Sequence, residues 1–97
     1  NEKHTISKRH KKQLLKEVAY MLYNEHSQRI SIDELNNWLN IYIYDNKLFR
    51  QYRDKDMYLL EQDLRNSSLL VRYGEDNFGF SHSSFYEYFL SDYIIDN

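Results

Sequence analysis

A chain of 97 residues has room for one small domain, since it can bury only about 60–65% of the surface it exposes when unfolded, which excludes a self-contained multidomain enzyme. It is 41% hydrophobic, 16% aromatic and 29% charged, too apolar for a disordered tail, and two Gly and no Pro leave no glycine-rich phosphate loop or proline-rich linker, so helix should dominate. Thirteen basic and fifteen acidic residues give a net charge of −2, too balanced for a domain that lives on nucleic acid, and no Cys means no disulfide framework, thiolate metal site or cysteine nucleophile. The charge is uneven: residues 1–50 carry nine bases and six acids, residues 51–97 four bases and nine acids.

Taken in chain order, residues 1–7 read as a flexible lead-in. Thr5 or Ser7 can cap a first helix over about residues 8–24, where Leu14, Leu15, Val18, Ala19 and Leu22 share one face. Its first turns hold Lys8, Arg9, Lys11 and Lys12, cations where the helix dipole prefers anions. Ile30 and Ser31 form a short extended link, and Ser31 with Glu34 makes a capping box. The second helix follows, with Ile32, Leu35 and Leu39 on one face, until Asp45 and Asn46 interrupt it; residues 45–53 are a connector. A third helix is predicted from about Asp54 to Asn66, opening on acidic residues and aligning Met57, Leu60 and Leu64. Leu69–Tyr73 and Asn77–Phe80 flank a Gly74-Glu75-Asp76 turn and predict a β-hairpin. Ser84 and Glu87 offer a second capping box for a last helix bearing Phe85, Tyr88, Phe89, Leu90, Tyr93 and Ile94. The fold class is therefore mainly α with a small β-hairpin. Helix, strand, helix, helix, hairpin, helix is the order of a winged helix, expected to span residues 1–97 as a single domain.

The C-terminal segment adds what periodicity cannot. Phe78-Gly79-Phe80-Ser81-His82-Ser83-Ser84-Phe85-Tyr86-Glu87-Tyr88-Phe89-Leu90-Ser91-Asp92-Tyr93-Ile94 resembles the pattern F-x-F-x-H-x-S-F-x-E-Y-F-x-x-x-Y-[LI] that closes the winged-helix domain of NACHT-type STAND NTPases. Arg29-Ile30-Ser31-Ile32-Asp33-Glu34-Leu35 looks like the start of the same domain. The resemblance implies a regulatory module that docks on a P-loop NTPase core of the same parent chain and couples ADP/ATP state to activation, with possible oligomerisation of the parent. It implies His82 as the residue facing the nucleotide phosphates in the closed state, and ADP or ATP with magnesium as cofactors of the parent rather than of this chain alone. The other role open to His82 is structural, as a cap of the last helix or a hydrogen-bonding group inside the fold.

The last helix points to a partner independently. Phe85, Tyr86, Tyr88, Phe89 and Tyr93 wrap most of its circumference with Leu90, Ile94 and Ile95, whereas a surface helix of a lone domain is apolar on one face. These five aromatics are the candidate interdomain docking residues. A protein-interaction winged helix without nucleotide coupling is the alternative, and DNA binding comes third. Around the third helix Arg53, Lys55 and Arg65 face Asp54, Asp56, Glu61 and Asp63, and the wing tip bears Glu75 and Asp76, so phosphates would be repelled.

Catalysis within the chain is not expected. Gly74 and Gly79 cannot build a P-loop, His residues at 4, 10, 26 and 82 have no zinc-ligand spacing, and Ser83 and Ser84 next to His82 lack triad geometry. No apolar stretch approaches the ~20 residues of a membrane span, and no signal-peptide pattern opens the chain. Beginning at Asn1, it reads as a piece of a longer cytoplasmic protein.

Overall fold

The computed structural model describes residues 6–66 and 69–96, without the Met57 side chain. The chain folds as α1 (Lys8–Asn24), β1 (Ile30–Ser31), α2 (Ile32–Asp45), a 3-10 segment (Lys47–Tyr52), α3 (Met57–Arg65), β2 (Leu70–Tyr73), β3 (Asn77–Phe80) and α4 (Ser83–Asp96). Thr5 as a cap, Met57 as a core-facing side chain and the lead-in over residues 1–5 lie outside the described residues. The lead-in does not extend to residues 6 and 7. Ile6 is buried, with its N–H donating to Asp63 Oδ2 at 2.7 Å, and Ser7 is the N-cap of α1, its hydroxyl accepting from His10 N–H at 3.2 Å.

Local chemistry sets most boundaries. The C-terminus of α1 closes in a Schellman arrangement: Ser27 N–H donates to Leu22 C=O and His26 N–H to Tyr23 C=O, with His26 in the left-handed region at φ 55°. The Ser31–Glu34 capping box forms as predicted. α3 starts later than expected, because Asp56 caps it by accepting from Tyr58 N–H at 2.9 Å, leaving Asp54 in the preceding turn. The second capping box does not form. α4 begins at Ser83, so Ser84 already lies inside the helix, and His82 holds the cap position with its C=O accepting from Phe85 and Tyr86 N–H.

The connector is more ordered than its sequence suggests. It turns into a 3-10 segment because Phe49 and Tyr52 are buried, packing on each other and on the ring of His10 in α1. The three strands make an antiparallel sheet in the order β1-β3-β2, with Ile30 opposite Phe78 and Leu70 opposite Phe80. Phe78 and Phe80 turn inward to the core, as alternation requires. Both glycines serve the wing. Gly74 takes φ 70° at its turn, and a Cβ on Gly79 would lie 2.5 Å from the Gln28 carbonyl oxygen. Around Leu14, Leu15, Val18, Leu35, Leu39 and Leu64 a single core joins α1, α2 and α3 to the sheet, and α4 lies along α1. These are the parts of a winged helix, mainly helical with a small antiparallel sheet.

Candidate functional site: the β3–α4 junction and the face of α4

The route from wing to last helix is two residues long, Ser81 and His82. It is pinned from both sides. Ser81 N–H donates to Leu69 C=O at 2.8 Å, extending the β2–β3 ladder, and the Tyr73 phenol donates to the Phe80 carbonyl at 2.8 Å. Tyr73 lies over Gly79, where the absence of a side chain admits its ring, and the Arg29 guanidinium stacks on it with 4.2 Å to the centroid. A rigid strand end thus delivers His82 to the start of α4.

His82 is exposed there, its ring edge-on to Phe85 at 5.9 Å between centroids. Just beyond it the amides of Ser83 and Ser84 head the helix, and among the described residues neither has a hydrogen-bond acceptor. An imidazole beside free amides at the positive end of a helix dipole is chemistry suited to an anion. The backbone carbonyl of His82 closes the first turn of α4, as that of any residue at this position would.

The five aromatics proposed for docking divide into groups. Phe89 is withdrawn from any docking surface: it is 4% exposed, stacks on Phe80 at 5.8 Å and belongs to the core. Tyr93 is half-buried in a stack with Tyr20 of α1 at 4.2 Å, so it holds α4 to its own domain. Phe85 and Tyr86 are partly covered, Tyr86 by the ring of Phe80. Tyr88 is the member left open, at 52% exposure, and it is joined by Ile94 and Ile95. Tyr88 and Ile95 are seven positions apart and therefore on one face, and the Tyr88 ring meets that of Phe89 edge-on at 5.0 Å between centroids. Exposed Tyr23 of α1 sits near Tyr86, an addition that the α4 sequence could not indicate. Its signal was the Tyr20–Tyr23 pair at i, i+3.

The charged side chains of α3 are committed internally. Glu61 is buried and pairs with Arg65, whose guanidinium lies over Phe78 of the wing at 5.0 Å, while Asp63 binds Lys11 at 3.3 Å. The Glu75-Asp76 tip of the wing is exposed. Among the described residues no three His, Cys, Asp or Glu side chains gather as metal ligands, and no described helix is long and apolar enough to cross a membrane.

Residues 1–93 match the family described as "Winged helix-turn-helix domain C-terminal to NACHT". The chain belongs to that family. No curated protein and no solved structure gives a match to it. For a NACHT-associated winged helix, a NACHT domain in the same protein is the expected neighbour.

Proposed function

We propose that this NACHT-associated winged helix is a regulatory switch module rather than an enzyme, docking on the NTPase core of its own cytoplasmic protein when that core holds ADP. The observation that carries the reading is His82, held exposed by a pinned strand end at the head of α4, beside amides that lack acceptors. An imidazole there would donate to a diphosphate. Magnesium and nucleotide belong to the core; this chain contributes the side chain that reads the phosphates. Exchange for ATP changes that contact, and the domain is released by the difference in affinity between the two states. Tyr88, Ile94 and Ile95 supply apolar surface for the docked state. The committed charges of α3 and the acidic wing tip weigh against reading DNA with the same fold.

Calorimetry of ADP binding to the NACHT-containing protein, wild type against His82→Ala at fixed magnesium and salt, tests the reading. The expected loss is about 1–3 kcal/mol, the usual cost of removing a charge-assisted hydrogen bond. Unchanged affinity in a folded variant would end the phosphate-sensing role and leave an interaction module whose histidine is structural.

A further inference from the structure

On the outer side of α1 a carboxylate without a cation stands between two pairs of stacked rings. Gln13, Glu17 and Tyr20 follow one another along the helix at i, i+4 and i+7, a half-buried row beside the buried Leu14, Val18 and Ala19. On one flank Tyr42 of α2 stacks on Trp38, with 5.2 Å between ring centroids and 17° between planes. On the other, Tyr93 of α4 stacks on Tyr20 at 4.2 Å and 14°. The Glu17 carboxylate meets both flanks. The Tyr42 hydroxyl and the Gln13 amide donate to it, the latter at 3.3 Å, and after burial its charge is the next cause of the raised pKa of the Tyr93 phenol.

The domain supplies no counterion for it. Lys16, the adjacent cation, is paired with Asp96. Among the described residues no basic side chain forms an ion pair with Glu17, and none lies over the rings of Tyr20, Trp38 or Tyr42. Burial accordingly holds the Glu17 carboxyl above its ordinary value, although the Tyr42 and Gln13 hydrogen bonds and the Lys16 charge act the other way.

A completed arrangement of the same kind exists elsewhere in the fold. Glu61 pairs with Arg65, whose guanidinium lies over Phe78 at 5.0 Å, so that carboxylate, cation and ring are all present. At Glu17 the carboxylate and the rings are in place and the cation is missing. Arginine suits the gap best: its planar guanidinium forks onto a carboxylate, stacks on aromatic faces and sheds water more readily than an ammonium. A quaternary ammonium would use the rings and offer the carboxylate no N–H. A nucleic-acid backbone carries the wrong sign.

We infer that Glu17 and the rings beside it receive an arginine side chain from a partner protein, the guanidinium pairing with the carboxylate and lying against Tyr42 and Trp38. The inference is independent of nucleotide sensing, because no part of it involves His82.

Chemical-shift titration of the 97-residue chain with a terminally blocked Gly-Arg-Gly peptide tests it. The indole N–H of Trp38, the single tryptophan, and the side-chain amide of Gln13 are the reporters, and both should shift saturably at millimolar peptide. Peptides with lysine or neutral citrulline in place of arginine should bind about tenfold more weakly, and so should the arginine peptide to Glu17→Gln. The citrulline comparison uses the wild-type chain and holds whatever the variant does to folding. Without peptide, Glu17→Gln should keep or raise the urea midpoint, since it removes a half-buried charge that the domain leaves unanswered. A lowered midpoint would show that the carboxylate serves the fold and would overturn the inference. Absence of saturable shifts, equal binding of the lysine or citrulline peptide or of tetramethylammonium, or unchanged affinity in Glu17→Gln overturns it as well. Self-association of the wild-type chain that Glu17→Gln abolishes overturns it in favour of a second copy of this chain.

Discussion

Helices α1 and α4 lie against each other, yet they were built on different plans. In α1 the apolar residues form one stripe, and Leu14, Leu15, Val18, Ala19 and Leu22 are all buried. In α4 apolar residues surround the axis, and Phe89 alone is buried. The helix that is economical with hydrophobic residues covers all of its core face; the one that is rich in them leaves Tyr88, Ile94 and Ile95 in water. Phe85, Tyr86 and Leu90 are partly buried against the core and Tyr93 stacks on Tyr20, so the apolar residues of α4 left most open are Tyr88, Ile94 and Ile95.

The strongest test of this contrast sets two neighbours of α4 against each other. Phe89→Ala should cost about 3–5 kcal/mol in urea unfolding, the range for truncating a buried Phe, because it removes the helix's one fully buried anchor. Tyr88→Ala should cost about 1 kcal/mol or less, since its half-exposed ring gives up only an edge contact with Phe89. Equal costs would break the comparison, showing that both faces of α4 work within the domain.

A smaller effect concerns the other end of α1. His10 is buried, with Nδ1 2.7 Å from the Tyr52 hydroxyl, which also accepts the Ser7 N–H at 3.2 Å. Burial, and then the Arg9 guanidinium, lower the pKa of this imidazole from 6.5. A group whose folded value is depressed gives its full stabilisation above the unfolded value and loses it as pH falls through the folded one. The urea midpoint should therefore drop between pH 7 and pH 5, and drop less in His10→Gln, where the 3-10 segment no longer rests on a titrating ring. Parallel pH profiles for the two proteins would show that the α1 attachment does not depend on a neutral His10.

The smallest effect is at the far end of α4, where Asp96 pairs with Lys16 of α1. That hydrogen bond is the main cause of the raised pKa of Lys16, which burial opposes. Its stabilisation is present below the unfolded lysine value and vanishes as pH climbs through the raised one. Asp96 is 53% exposed, so Asp96→Asn should cost under about 1 kcal/mol and speed amide exchange in the last turn of α4 alone. Faster exchange reaching Phe89 would mean that this ion pair, rather than the aromatic anchor, fixes the helix.

The two capping boxes show what was legible and why. Ser31 and Glu34 form theirs because everything it needs lies within four residues of chain. Ser84 and Glu87 have the same letters at the same spacing, but the Ser81–Leu69 strand bond and the short junction start α4 two residues earlier than a Ser84 cap requires. The connector after α2 is a comparable case. Its residues have no helical periodicity, and burial of Phe49 and Tyr52 against His10, about forty residues away in sequence, is what winds it.

By itself the sequence determined the element order, the wing with its two glycines, the family motif around His82 and the surplus of apolar residues on α4. All of these depend on residue type and on spacing within a turn or a hairpin. Only the tertiary structure decided which of the α4 aromatics are spent inside the domain. Phe89 and Tyr93 stack on Phe80 and Tyr20, whereas Tyr88 touches only the edge of Phe89 and stays half exposed. A helix that is apolar all round carries no sequence signal for its inward direction, and that direction is set by the partners that the rest of the fold brings beside it.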